Sequence, residues 1–142
     1  MKKFVLDAST ALGWMLDRPI PANASLTRKL IIAGSTPIVP ALWIQEVSNA
    51  IVMAERRRRI TAGQVATLST DLEDFLEVVE FDPARVRASV LIETAQRNHL
   101  TVYDATYLEL ASRRRVPLAT LDDKLREAAR TYGLELSLSP GR

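Results

Sequence analysis

Three aspartates in this sequence follow the same kind of segment. Phe4-Val5-Leu6-Asp7, Thr101-Val102-Tyr103-Asp104 and Ala119-Thr120-Leu121-Asp122 each run from apolar residues into an acid that precedes a helical pattern. If those apolar runs are strands of one sheet, the carboxylates gather at its carboxyl edge, where open α/β sheets bind ligands. Carboxylates so grouped can hold a cation or activate a water. Capping is the competing account for each, because Asp is among the best residues at a helix N-terminus. Asp82 has the same form in Val79-Glu80-Phe81-Asp82, and the Pro83 that follows makes capping sufficient there. Spacing alone does not separate Asp82 from the other three.

Glu46 adds independent information. On a helix it shares a side with Leu42, Asn49, Ala50 and Met53, flanked by Trp43, Val47 and Ile51. A carboxylate turned towards a core is costly unless a cation or donors compensate it. An arginine partner is one answer, with 19 Lys+Arg in the chain; a metal ion is the other. The 142 residues include no Cys and a single His, so thiolate and two-histidine zinc sites are excluded, as are disulfides, iron–sulfur ligation and thiol nucleophiles. A Ser-His-Asp triad would rest on His99, in the polar stretch Arg97-Asn98-His99. Clustered oxygen ligands without Cys point to a hard cation, Mg²⁺ or Mn²⁺.

The elements that must position these acids follow from periodicity. Short apolar runs at Phe4–Leu6, Pro37–Val39, Val78–Phe81, Leu100–Val102 and Val116–Ala119, with Leu134–Leu138 alternating at the end, read as strands. Between them helical patterns occupy Ala8–Leu16, Ala24–Ala33 and Ala41–Glu55. Thr61 and Gln64 form a capping box that opens a helix to about Leu76. Asp82-Pro83 starts another that ends near Asn98, Asp104 precedes Ala105–Arg114, and Asp122 or Asp123 precedes a last helix that stops at Gly133. Strands alternating with helices predict a three-layer α/β/α domain around a mostly parallel sheet, with residues 1–142 as a single unit. Trp14 and Trp43 are expected in its core.

Other classes are excluded or disfavoured. The five glycines, at 13, 34, 63, 133 and 141, are too scattered to write G-x-G-x-x-G or a Walker A loop. Asp7 interrupts the first apolar run after three residues, so no export signal is read. The longest uncharged stretch, Leu30 to Gln45, is 16 residues broken by Gly34, Pro37 and Pro40, short of a spanning helix. A soluble protein of the cytoplasm, without membrane association, is the expectation. Two arginine runs stand out: Arg56, Arg57, Arg58 and Arg59 after the helix of Glu46, and Arg113, Arg114 and Arg115 after the helix of Asp104. Each is either a solvated helix end complementing the dipole or a track for the phosphates of RNA.

Taken together, Val5-Leu6-Asp7-Ala8-Ser9, Glu46-Val47-Ser48-Asn49-Ala50, Tyr103-Asp104-Ala105-Thr106-Tyr107-Leu108-Glu109-Leu110-Ala111 and Leu118-Ala119-Thr120-Leu121-Asp122 resemble, in order, the four motifs of the PIN-domain ribonucleases, and within them the VapC-like toxins of toxin–antitoxin pairs. The resemblance spans nearly the whole chain. It implies a PIN-like fold in which Asp7, Glu46, Asp104 and Asp122 are the acidic site residues, with Ser9, Asn49 and Thr120 in support. It further implies an RNA substrate, a cognate antitoxin over the active-site groove, and a homodimer. Asp82 matches none of the motifs. Phosphodiester hydrolysis by Mg²⁺ held on carboxylates fits the residues independently, since such ions both activate water and neutralise phosphoryl charge.

Three other readings compete. A housekeeping PIN nuclease would carry the same site, and a non-catalytic RNA-binding PIN-like domain would have no use for close acids. An aspartyl-phosphate phosphatase or receiver domain also places Asp after the first strand, but Asp7-Ala8-Ser9 lacks a second aspartate and Lys124 falls inside the last helix. The net charge of +2 conceals a distribution. With the four site acids set aside from the 17, 13 acidic residues face 19 basic ones, and the surface beyond the pocket carries +6. Such a surface attracts a polyanion.

Overall fold

The computed structural model describes residues 2–138. Its elements in chain order are β1 (Lys3–Leu6), α1 (Ala8–Leu16), α2 (Ala22–Ile32), β2 (Thr36–Val39), α3 (Leu42–Arg56), α4 (Ala62–Leu76), β3 (Glu80–Phe81), α5 (Ala88–Asn98), α6 (Val102–Arg114), β4 (Leu118–Ala119) and α7 (Asp123–Thr131). The four strands pair in parallel in the order β3-β2-β1-β4, with Val5 opposite Ile38 on one side and Leu118 on the other. Successive strand residues point to opposite faces, yet Phe4, Val5 and Leu6 are all buried. Both faces of the sheet are therefore covered, which is the three-layer arrangement expected of alternating strands and helices.

The strand order reverses at β1: the chain moves outward on one side to β2 and β3, then returns to lay β4 on the other. Such a reversal leaves a crevice beyond the carboxyl ends of the two strands that flank it. Here it opens after Leu6 and after Ala119. Backbone bonds from Val5 N–H to the Pro117 carbonyl (2.8 Å) and from Asp7 N–H to the Ala119 carbonyl (3.0 Å) hold its edges in register.

Around the sheet one apolar cluster joins the strands to Trp43 and Val47 of α3, Tyr107, Leu108 and Leu110 of α6 and Leu125 of α7. Trp43 is fully buried and Trp14 partly so, each meeting Phe75 of α4, with ring centroids 5.8 Å and 5.6 Å apart. The capping box that opens α4 is formed reciprocally, Gln64 N–H to Thr61 Oγ1 at 3.2 Å and Thr61 N–H to Gln64 Oε1 at 2.7 Å. Among the described residues no helix is long and apolar enough to cross a membrane.

Three expected elements differ. Leu100–Val102 is not a strand: His99 ends α5 in the left-handed conformation and Thr101 caps α6, its hydroxyl accepting from Asp104 N–H at 3.1 Å. The residues between the two helices are used up in ending one and capping the next, and α5 packs directly on α6. Asp82-Pro83 starts no helix either, since α5 begins at Ala88. The Asp82 carboxylate is taken instead by Arg113 (2.7 Å) and Arg114 (3.3 Å). Within Leu134–Leu138 only Glu135 forms a bridge, with Leu118, because the segment meets β4 over a single residue pair.

Gly13 lies where α1, α2 and the residue before Asp122 converge. A Cβ there would stand 2.7 Å from Leu121 Cδ1 and 2.9 Å from the Ala24 Cβ. Gly13→Ala gains about 1 kcal/mol of helix propensity but overpacks this contact by about 1–3 kcal/mol. Net destabilisation is expected in chemical denaturation. A stabilised variant would show that the helices are free to separate.

Candidate active site

Asp7 occupies the crevice at the reversal of strand order. It is the residue just before α1, yet its side chain makes no capping hydrogen bond to that helix. Its Oδ2 instead accepts the hydroxyl of Ser9 and that of Thr120, both at 2.7 Å. Thr120 in turn accepts from Asp122 N–H (3.0 Å), and Ser9 accepts from Leu121 N–H (3.0 Å). Two hydroxyls thus tie the end of β1 to the turn after β4. Asp7 itself is only 4% exposed.

The other acids arrive on helices. Asp104 lies in the first turn of α6, where the N-terminal dipole favours a negative charge. Asp122 caps α7, accepting from Leu125 N–H at 2.8 Å, which separates it from its neighbour Asp123. Glu46, half-buried on α3, accepts the Tyr107 hydroxyl through Oε1. The donor compensating Glu46 is therefore a phenol and not the arginine considered from the sequence. Asn49 follows one turn later on an exposed position of α3.

Tyr107 is the site residue that sequence reasoning placed no role on. Its signal was available: three residues beyond Asp104, it shares a face of α6 with that acid. What the spacing lacked was any indication that α3 would bring Glu46 opposite.

Electrostatically the acids act on one another. Burial pushes the Asp7 carboxyl above the ordinary aspartate range, against the pull of the Thr120 and Ser9 hydroxyls, and Asp104 raises it further. Glu46 is raised by burial, countered by Tyr107, and raised again by Asp7 and Asp104. Asp104 is raised by burial and then by Asp122. Tyr107 is pushed far above the usual phenol range by burial and by Glu46, so it serves only as a donor. Among the described residues no Lys or Arg forms an ion pair with any of the four acids.

That set suits a hard divalent cation: all-oxygen donors, mutual repulsion, no resident positive charge. Among the described residues no three acids close into a ready-made cage. A fully dehydrated site is not required, since Mg²⁺ keeps several waters and binds through one or two carboxylates. The carboxylates that would reach such an ion are those of Asp7, Glu46 and Asp104, since an ionised carboxylate has acceptor sites beyond the donors already on it.

The two arginine runs have different surroundings. Arg57 and Arg59 line a groove of about 460 Å³ together with Ser9, Met53, Leu121 and Asp122, so they border the acidic crevice. Arg59 also meets Asp17 at 3.5 Å, while Arg56 and Arg58 are exposed. Arg113 binds Asp82 and Glu109, each at 2.7 Å, and Arg114 binds Glu80 and Asp82. Arg113 and then Arg114 hold Asp82 below the usual carboxylate range, and Lys3 with Arg114 does the same for Glu80. Arg115 is the exposed C-cap of α6.

Residues 4–131 match the family described as the PIN domain. Two sequences named Ribonuclease VapC12, from Mycobacterium tuberculosis strains CDC 1551 / Oshkosh and ATCC 25618 / H37Rv, are each 36% identical over 129 residues, covering 87% of this chain and 90% of the relative. The crystal structure of PAE2754 from Pyrobaculum aerophilum superposes with a TM-score of 0.63 at 22% identity, over 89% of this chain and 84% of that one, and so shares the fold.

Raised carboxyls bind protons more tightly folded than unfolded, so their charge is resisted as pH rises through the folded pKa. Asp104→Asn removes one acid and relieves Asp7 and Glu46. The variant is expected to melt above the wild type at neutral pH without divalent cations. That advantage fades as pH falls through the raised folded-state carboxyl range and is gone below the ordinary carboxylate value of about 4. Added Mg²⁺ should stabilise the wild type more than the variant. Equal melting temperatures at pH 7 would contradict the repulsion.

Proposed function

The chain belongs to the PIN-domain family, and from that premise we propose that it is a Mg²⁺-dependent endoribonuclease acting as the toxin of a toxin–antitoxin pair, with Mn²⁺ able to replace Mg²⁺. The observation that supports the activity is the mutual electrostatic rise of Asp7, Glu46 and Asp104 at the carboxyl ends of β1 and β4, with Asp122 acting on Asp104 and, among the described residues, no basic side chain in an ion pair with any of them. Bound there, the cation supplies an activated water and neutralises charge on the transferring phosphoryl group. Hydrolysis joins the water oxygen to phosphorus and breaks one phosphorus–ribose oxygen bond.

The chain's own groups do the positioning. Ser9 and Thr120 hold Asp7 through Oδ2, and the carboxylate keeps acceptor capacity for the ligand. Tyr107 does the same for Glu46. Asp122 is fixed by its bond to the first turn of α7, and Asn49 stands one turn from Glu46 as a polar contact for the substrate. Donors of this kind fix the orientation of a ligand, and losing one typically costs 10–100-fold in affinity or activity. Arg57 and Arg59 border the groove and supply positive charge for the RNA backbone, whereas Arg113 and Arg114 serve to join α6 to β3 and the residue after it.

The toxin role, the antitoxin and a homodimer rest on the motif resemblance and on the VapC12 relatives. On this reading the protein acts in the cytoplasm.

Purified protein is expected to cleave RNA with Mg²⁺ and to stop when the metal is chelated. Asp7→Asn and Asp104→Asn should each lower the rate by at least about a hundredfold, and Thr120→Val by about 10–100-fold with its fold intact by circular dichroism. Cleavage that survives chelation or either Asp substitution would overturn the mechanism. A short co-encoded protein that blocks cleavage is expected for a toxin, and its absence favours a housekeeping nuclease.

Binding of single-stranded RNA by catalytically silenced protein tests the arginines separately. Each lost phosphate contact flattens the logarithmic salt dependence by about 0.7. Replacing Arg57 and Arg59 by Gln should therefore reduce the slope by roughly 1.4. Arg113→Gln should leave it unchanged, and the reverse pattern would move the RNA path to the end of α6.

A further inference from the structure

One side of α6 runs from the core into the open. Tyr107 and Leu110 share that side and are both buried, and Arg114 at its far end pairs with Glu80 of β3. Tyr103 continues the same side one turn before Tyr107, yet it is 63% exposed. It is the most exposed Phe, Tyr or Trp among the described residues, and within them its hydroxyl has no hydrogen-bond partner and its ring packs on no other ring. We propose that Tyr103 is the stacking platform for an RNA base next to the scissile phosphate. The inference deepens the nuclease reading and rests on its RNA substrate.

Helix geometry sets this ring beside the acids. Tyr107 donates its hydroxyl to Glu46, so the side of α6 that carries both tyrosines faces α3. A four-residue step advances about 6 Å along the axis, and long helical side chains lean towards the N-terminus. Tyr103 therefore stands beyond Glu46 at the carboxyl edge of the sheet, and it directly precedes Asp104. On α3 the side of Glu46 continues through Ala50 and Met53 to Arg57, and these three line the groove that Arg59 shares. The acids thus lie between an arginine-bordered groove at one end and an exposed aromatic ring at the other.

A single RNA strand crossing that line uses both ends. Guanidinium groups take phosphates and carry no base contact, whereas unpaired bases are held on aromatic faces. Stacking on one ring strengthens binding by about 5–150-fold and tolerates any base. It also fixes the register of the strand, so that one phosphate stands over the acids. A protein surface seated on Tyr103 would strip water from Glu46 and Asp104 and would have to bring a positive charge for them. RNA meets those carboxylates through the bound cation.

The full chain carrying Asp7→Asn, which silences cleavage, is titrated in Mg²⁺ with labelled single-stranded RNA, alone and with Tyr103→Leu, Tyr103→Phe or Tyr103→Trp added. Circular dichroism checks that each is folded. Tyr103→Leu should weaken binding about tenfold, while Tyr103→Phe and Tyr103→Trp keep it within about twofold. The salt slope should not change, because no phosphate contact is lost. An abasic nucleotide moved along the strand should reproduce the loss at one position, and there Tyr103→Leu should cost nothing more. Binding indifferent to Tyr103→Leu, a loss shared by Tyr103→Phe, a flatter salt slope, or additive losses at every abasic position would each overturn the proposal. So would altered sedimentation of the RNA-free Tyr103→Leu protein with unchanged RNA affinity, which would give the residue to a protein contact. The two readings fail separately. A chain with Asp7 intact that binds RNA on Tyr103 but cleaves none fails the nuclease reading alone; one that cleaves, with binding indifferent to Tyr103→Leu, fails this one alone; one that binds no RNA fails both.

Discussion

A single buried carboxylate, Asp7, with two hydroxyls on one of its oxygens, organises this molecule. Taking an acid out of water at the end of a strand is unfavourable, and the fold answers with Ser9 from α1 and Thr120 from the turn after β4. Because Thr120 also accepts from Asp122 N–H, and Ser9 from Leu121 N–H, these four hydrogen bonds together fix the start of α7 against the start of α1. The central pair of strands is thereby closed at its carboxyl edge by polar contacts as well as by the ladder between Val5, Leu6, Leu118 and Ala119.

From that point the remaining acids are placed by packing. Tyr107 and Leu108 bury one face of α6 against the core, and the same face carries Asp104 towards Asp7. Trp43 and Val47 anchor α3, which leaves Glu46 half-buried beside the Tyr107 hydroxyl. The apolar contacts that stabilise these helices thus bring like charges together, and the raised carboxyls of Asp7, Glu46 and Asp104 record the cost. Elsewhere the opposite logic holds. Asp82, an acid of the same sequence form, meets two arginines and is held low. One chain carries acids that are neutralised to join elements and acids that are left uncompensated, and the difference separates structural pairing from a site suited to a cation.

Much of this was legible in the order of residues. The alternation of apolar runs and helical patterns predicted a parallel sheet covered on both faces, and the capping box at Thr61 and Gln64 forms as read. Asp7 and Asp122 lie at the ends of strands or turns as their spacing required. Asp104 reaches the site by a different route, from the first turn of a helix, because Thr101 caps α6 where a strand was expected. The error was one of local geometry: a strand end and a helix start both present an aspartate after a short apolar run. Asp82 misled in the same way, since a proline after an acid is compatible with a helix start, but a partner 31 residues away decided its role.

By itself the sequence determined the chemistry on offer and the type of fold: oxygen ligands without thiols, acids at recurrent positions, helices and strands set by periodicity and caps. Those properties are local, carried by residue type and by neighbours within a few positions. Only the tertiary structure decided which acids repel one another and which are paired, that Glu46 meets a phenol, and that Arg57 and Arg59 border the crevice while Arg113 and Arg114 are engaged. Electrostatic coupling and hydrogen bonding act over a few ångströms of space regardless of separation along the chain, so they exist only once the sheet has folded.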